Sequence, residues 1–206
     1  METNLAIEIL ESQIRECFGR VVWTHKTQEK CADIVFSCNS RYRWAQIILS
    51  AITTTGVLAS LFTDENWVGV TSAFVSFVLV CVNMYLKHYD LGKIAQRHAD
   101  AAVEIWDVRE SYLSLLIDLR LPNVDITEIQ KRRDELQKRL KRVYQCSPRT
   151  ISKAYTNASK ALKENNEMTF SDDEIDKLLP GRLRKRISNS KPSTANSQPS
   201  TCFSNR

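Results

Sequence analysis

Two runs without a charged side chain, Ala45 to Phe62 and Trp67 to Leu86, are separated only by Thr63, Asp64, Glu65 and Asn66. At about 1.5 Å per residue they reach about 27 and 30 Å, close to the thickness of a bilayer's hydrocarbon core. In lipid every backbone amide must find its partner within the segment, so such a run has to be helical. The short connector then forces an antiparallel hairpin. Trp44 and Trp67 open the runs and Tyr85 closes the second, as interfacial aromatics do. Two such runs argue against the core hairpin of a soluble bundle. The mean hydropathy of −0.32 hides them, because the charges crowd the flanks.

The charge distribution predicts orientation. Lys26, Lys30, Arg41 and Arg43 precede the first run and Lys87, Lys93 and Arg97 follow the second, whereas the connector has no Lys or Arg. Basic flanks stay cytoplasmic, so both termini are expected in the cytoplasm and the turn outside. The opening METNLAIEILE lacks the basic region, apolar core and cleavage signal of a secretory peptide. The expected organisation is a cytosolic amphipathic helix over 1–43, transmembrane helices over 44–62 and 67–86 around an external turn at 63–66, and a second cytosolic amphipathic helix over 87–121. C-terminal cytosolic helices over 122–187 and a disordered tail over 188–206 complete the chain.

Both flanks carry a seven-residue period. Ile7, Ile14, Val21, Gln28, Val35 and Tyr42 form one stripe before the first run, with Leu10, Cys17, Thr24, Cys31 and Cys38 as its companion. After the second run Leu91, His98, Ile105, Tyr112 and Leu119 repeat at the same interval. If each run continues unbroken into its flank, two helices of roughly 55 residues fold back on one another. Residue i then lies near roughly residue 129 − i, give or take a turn, which places His98 by Cys31, Glu104 by His25 and Trp106 by Trp23. The predicted fold class is an all-α membrane protein: a two-transmembrane helical hairpin, continuing into a long cytosolic antiparallel coiled-coil-like stem, with C-terminal amphipathic helices. On this register Cys17, Cys31 and Cys38 are small core fillers, His98 is a satisfied core histidine and His25 with Glu104 an ordinary interhelix pair. His98→Leu is expected to leave the fold intact.

Beyond Pro122, which is expected to end the long helix, a start signal at Asp125 or Thr127 precedes an amphipathic helix marked by Ile129, Leu136, Leu140 and Val143. Ser147-Pro148 resembles the cap and first residue of another helix, with Ile151, Ala154, Tyr155, Ala158 and Leu162 on one face. Ser171 and Glu174 cap a short helix that Pro180-Gly181 terminates. The basic face of the first of these helices and the cluster Arg182, Arg184, Lys185, Arg186 suit anionic lipid or plain solvation. Without interleaved aromatics they argue against nucleic acid.

No nucleophile elbow, phosphate-binding loop, dinucleotide-binding glycine pattern or carboxylate dyad is present, so the expectation is a protein that is not an enzyme. Six cysteines without a CxxC pair and three scattered histidines give no metal or cofactor site. What remains are uncharged polar residues in the runs: Gln46, Ser50, Thr53 and Ser60 in the first, Ser72, Ser76 and Asn83 in the second. They are candidates for pore lining or for close helix packing. Two helices alone cannot enclose water, so a pore requires a homo-oligomer.

The stretch FGRVVWTHKTQEKCAD at 18–33, the two-span hairpin, YLKHYDLGKIAQRHADAAVEIWDVRESYLSLL at 85–116 and AYTNASKALK at 154–163 together resemble the SLATT family, closest to the subtype with a THKTQEKCAD-like stretch. These are SMODS and SLOG-associating two-transmembrane effector domains, recognised by layout and without a catalytic motif. The resemblance implies an effector of bacterial antiphage or nucleotide-signalling conflict systems that oligomerises in the cytoplasmic (inner) membrane and, when triggered, forms a pore or otherwise permeabilises it. With no sensing domain in this sequence, the trigger implied is a sensor protein, a signalling nucleotide or the state of the lipid bilayer. The alternative is a non-conducting membrane-anchored coiled-coil adaptor that recruits partner proteins.

Overall fold

The computed structural model describes residues 2–60, 62, 66–122, 125–180 and 184. The expected turn at Thr63, Asp64 and Glu65, the tail from Ser188 and the basic residues Arg182, Lys185 and Arg186 lie outside them. Among the described residues the regular structure is entirely helical: α1 Glu2–Ser60, α2 Asn66–His88, α3 Leu91–Asp118, α4 Ile126–Cys146, α5 Ser152–Lys163 and α6 Asp172–Leu178. Residues 1–167 form one compact unit and 168–206 another.

In the first unit α1 is a single helix of 59 residues, about 88 Å long. The helices that pair with it, α2 and α3, are not continuous with each other. The helix stops at His88, and Asp90 restarts it, its side chain accepting from the Lys93 amide at 3.0 Å. The predicted unbroken second helix is therefore corrected. Aspartate satisfies a free amide at a helix start better than it serves within a helix, and Gly92 follows in the new first turn.

The seven-residue stripes are the buried ones. Ile14, Val21 and Val35 on α1 and Ile105, Tyr112 and Leu119 on α3 lie inside, with Val108 and Leu115 beside them. Arg120 with Glu11, His98 with Gln28, Tyr42 with Tyr85 and Gly56 with Ser72 meet across the pair, each within about a turn of the predicted register. Two finer pairings fail. Glu104 is exposed and His25 instead faces Glu29, one turn along its own helix, at 3.6 Å. Trp106 is exposed, and Trp23 stacks on Tyr155 with centroids 5.4 Å apart. The reason is α5, which covers the side of α1 that the two-stranded picture left open.

The stem is thus no free two-helix coil. Helix α4 runs back along α3, tied by Arg132 to Asp118 at 3.1 Å and by Arg139 to Asp107. It also runs parallel to α1: Arg133 reaches Gln13, Gln137 reaches Cys17 and Tyr144 reaches Thr24, always 120 positions apart. A constant offset between two helices of equal rise requires parallel axes. Ile129 and Val143 enter the shared core. The α4 start is capped by Asp125, accepting from Thr127 at 2.9 Å. Helix α3 ends at Asp118, short of Pro122. Helix α5 begins at Ser152 rather than at Ser147-Pro148, because Ser147 closes α4 and the next residues stay extended. Ala154, Ala158 and Ala161 form its buried face, small enough to seat it closely against α1, whereas Ile151 and Tyr155 are exposed.

The second unit contains α6, opened by the predicted capping box in which Ser171 and Glu174 bond each other's backbone amides.

Ala158→Leu forces a branched side chain into a fully buried site. It should lower stability by about 1–3 kcal/mol, read by thermal unfolding in detergent, and should also expose the Cys31 thiol to maleimide.

Candidate functional site

The stretch Trp23 to Cys31 has the greatest density of buried polar side chains: His25, Thr27, Gln28 and Cys31 are all inside. A polar helix face can be buried only if other groups replace water, and three elements do so. From α3, His98 Nδ1 lies 2.6 Å from Gln28 Oε1, and Gln28 Nε2 donates to the Pro148 carbonyl at 3.5 Å. From the connector between α4 and α5, the Ile151 amide donates to Cys31 Sγ at 3.4 Å. These two contacts hold residues 148–151 extended and delay the start of α5. From the turn after α5, Glu167 Oε2 reaches Lys26 at 2.7 Å and Lys30 at 3.7 Å. Asn166 adopts φ 50 in that turn, a left-handed conformation that asparagine tolerates.

The electrostatics follow from this enclosure. Burial lowers the pKa of both His25 and His98, so each is neutral at pH 7. For His25 the Glu29 carboxylate opposes that shift, while Arg109 and Lys26 add to it. Burial also works against the Lys26 ammonium, but the hydrogen bonds it donates to Glu167 and Glu29 outweigh it and hold its pKa above the ordinary value. The same contact holds Glu167 below the usual carboxylate range. Burial pushes the Cys31 thiol up, partly offset by the Ile151 amide, so Cys31 is a thiol and not a thiolate. Trp23 Nε1, His25 Nδ1 and the Tyr112 hydroxyl are buried without a hydrogen-bond partner among the described residues. This arrangement can latch helices together.

The polar residues of the apolar runs differ in burial. Gln46, Thr53, Ser72 and Ser76 are half-buried, whereas Ser50 and Asn83 are exposed; the Ser60 side chain lies outside the described residues. A Cβ on Gly56 would collide with the Ser72 side chain, so α1 and α2 touch there through small residues. Thr53, Thr54 and Thr55 each return their hydroxyl proton to the carbonyl one turn back, at 2.8 to 3.0 Å. A threonine so bonded needs no water.

Sequence reading placed His98 and Cys31 on the apolar stripes and missed the docking of 148–151 and Glu167. One signal pointed to the first contact: Gln28 and His98 are the polar members of two otherwise mostly apolar stripes, so each is the other's natural partner.

Folded-state histidines with lowered pKa bind fewer protons than unfolded ones, whose pKa is about 6.5. Stability should therefore be constant above about pH 6.5 and fall as pH drops below it. Thermal midpoints across that window should show this slope, reduced in Q28L/H98L. His98→Leu alone strands Gln28 Oε1, so it should cost about 1–3 kcal/mol and the double variant less; this replaces the expectation from sequence.

A sequence model of the SMODS and SLOG-associating 2TM effector domain, family 4, matches residues 10–174. Comparison with curated proteins and with solved structures returns no match.

Proposed function

Because the chain belongs to the SMODS and SLOG-associating 2TM effector domain family 4, we propose that it is a membrane effector of a bacterial conflict system that oligomerises and permeabilises the cytoplasmic membrane when triggered. The observation that carries this reading is a contrast of solvents within one chain. The stretch Trp67–Asp118 contains an 18-residue window of mean hydropathy 1.9, none of it buried. Val70, Phe74, Phe77 and Met84 stand outward on α2, while the stem helices bury their stripes. Such a surface belongs in lipid. Ile47, Ile48, Ile52, Val57 and Leu58 do the same on α1, which supports two spans with both termini on the basic, cytoplasmic side.

Asn83 supports oligomerisation. It is exposed on the apolar helix and its side chain makes no hydrogen bond to a described residue. A bare amide in hydrocarbon is costly, so it turns to a second copy of the chain or to water. A sensor protein or signalling nucleotide supplies the trigger, acting through the stem.

The second reading, a non-conducting adaptor, is favoured by one feature. A cavity of about 420 Å³ between α1 and α3 is lined by Phe18, Leu113, Leu116 and Ile117 and is filled by no described residue.

Reconstitution in dye-loaded liposomes separates the two. The effector reading expects leakage that Asn83→Leu reduces by about tenfold without loss of folding, about 1.4 kcal/mol in the open-state equilibrium. No leakage with nucleotides or with proteins encoded beside it would establish the adaptor. Topology is checked by cysteine labelling from outside intact cells, which should reach position 66 and not 188.

A further inference from the structure

The break between α2 and α3 leaves a cleft against α1 of about 510 Å³, within the range of small-ligand sites. Its lining changes character from end to end. Ile47 and Leu86 form one wall, Asn39 and Gln46 contribute amides, and Arg43 and Asp90 contribute opposite charges. The Arg43 side chain makes no hydrogen bond or ion pair with any described residue, although Asp90 lines the same cleft. Asp90 uses one carboxylate oxygen, Oδ1, to cap α3, and its other oxygen has no such partner among the described residues.

A second observation fixes the level of this cleft. Tyr42, Tyr85, Tyr89 and His88 form a chain of ring contacts with centroids 4.8 to 5.2 Å apart, at the positions along α1 and α2 where the apolar runs end. Aromatic rings with polar tips collect where hydrocarbon meets headgroup. The basic face of α4 is excluded from that level. It pairs with Asp107 and Asp118, about 24 to 40 Å along α3 from Leu91.

We propose that the cleft at the helix break is a phospholipid headgroup site selective for an amino-phospholipid, its phosphate held by Arg43 and its ammonium by Asp90. A guanidinium matches a phosphate in a bidentate fork. The spare carboxylate oxygen accepts from a primary ammonium, which a trimethylated headgroup cannot donate. One cation and one anion make the site complementary to a zwitterion with both charges accessible, not to a purely anionic lipid. Ile47 and Leu86 lie on the side from which the acyl chains leave. This inference rests on the membrane-spanning reading but not on conduction.

The test uses the full chain in detergent, incubated with phosphatidylethanolamine, phosphatidylcholine or phosphatidylglycerol, with bound lipid counted by native mass spectrometry. Wild type should retain phosphatidylethanolamine about tenfold better than the other two, a difference of about 1.4 kcal/mol. Arg43→Gln should abolish retention of all three. Asp90→Asn keeps a capping side chain and should erase the preference for phosphatidylethanolamine over both other lipids while leaving the Arg43-dependent retention in place. Equal retention of the three lipids, or retention unchanged in Arg43→Gln, overturns the proposal. Should Arg43→Gln lose helicity by circular dichroism, Arg43→Lys decides, with several-fold weaker retention expected and unchanged retention overturning. Dye leakage without lipid preference overturns this site and leaves the effector reading standing; failure to insert into vesicles at all overturns both.

Discussion

A helix of 59 residues has to place two different surfaces at once: a stripe buried by other helices and, further along, apolar side chains that face outward. Away from its ends its backbone hydrogen bonds are closed internally, but Ile14, Val21 and Val35 need a protein core whereas Ile47, Ile52 and Leu58 stand exposed. Helical propensity alone does not hold such a rod in water, where tertiary packing of an apolar stripe supplies most of the stability. The rest of the first unit can be understood as the means of covering α1: α3 along one side, α4 alongside both, and α5 across the stretch where α1 carries its polar residues. Coverage ends where the apolar surface begins to face outward.

Within the covered part, polar contacts set the alignment that apolar packing leaves loose. A stripe of Ile, Val and Leu tolerates a slip of one heptad with little change in buried area. The hydrogen bond between His98 and Gln28 does not, because a slip would leave both groups buried and unpaired. The Ile151 amide on Cys31 and Glu167 on Lys26 do the same for α5. Two buried polar atoms without partners among the described residues, Trp23 Nε1 and His25 Nδ1, lie in the same region, so the alignment is held at a cost in unsatisfied hydrogen bonds.

This division explains what was legible beforehand. The stripes through Ile14, Val21 and Val35 and through Ile105, Tyr112 and Leu119 repeat every seven residues, a local pattern that needs no knowledge of the partner. The approximate register followed from the short connector. The docking of α5 was not legible, since it depends on alanines and on backbone groups at Pro148 and Ile151, which carry no period. The local start signal Ser147-Pro148 lost to those tertiary contacts. Asp90 was hidden for a different reason: the apolar period continues across it, so the eye passes over a capping residue that the backbone obeys. The polar residues of the runs shared a sequence spacing, yet they divide between half-buried and exposed positions because α2 leans on only part of the face of α1.

The interruption at Asp90 makes the two legs of the hairpin mechanically unequal. A continuous helix carries torsion along its length, because each turn is locked to the next by three or four hydrogen bonds. Helix α1 is continuous from the Trp23–Cys31 cluster to Gly56. The other leg has a swivel, since the ladder of backbone bonds is broken between His88 and Leu91. A twist applied to α3, α4 and α5 would thus arrive at the apolar end of α1 and be absorbed before it reached α2. The two legs would turn against each other, and their contact at Gly56 and Ser72 would act as the bearing.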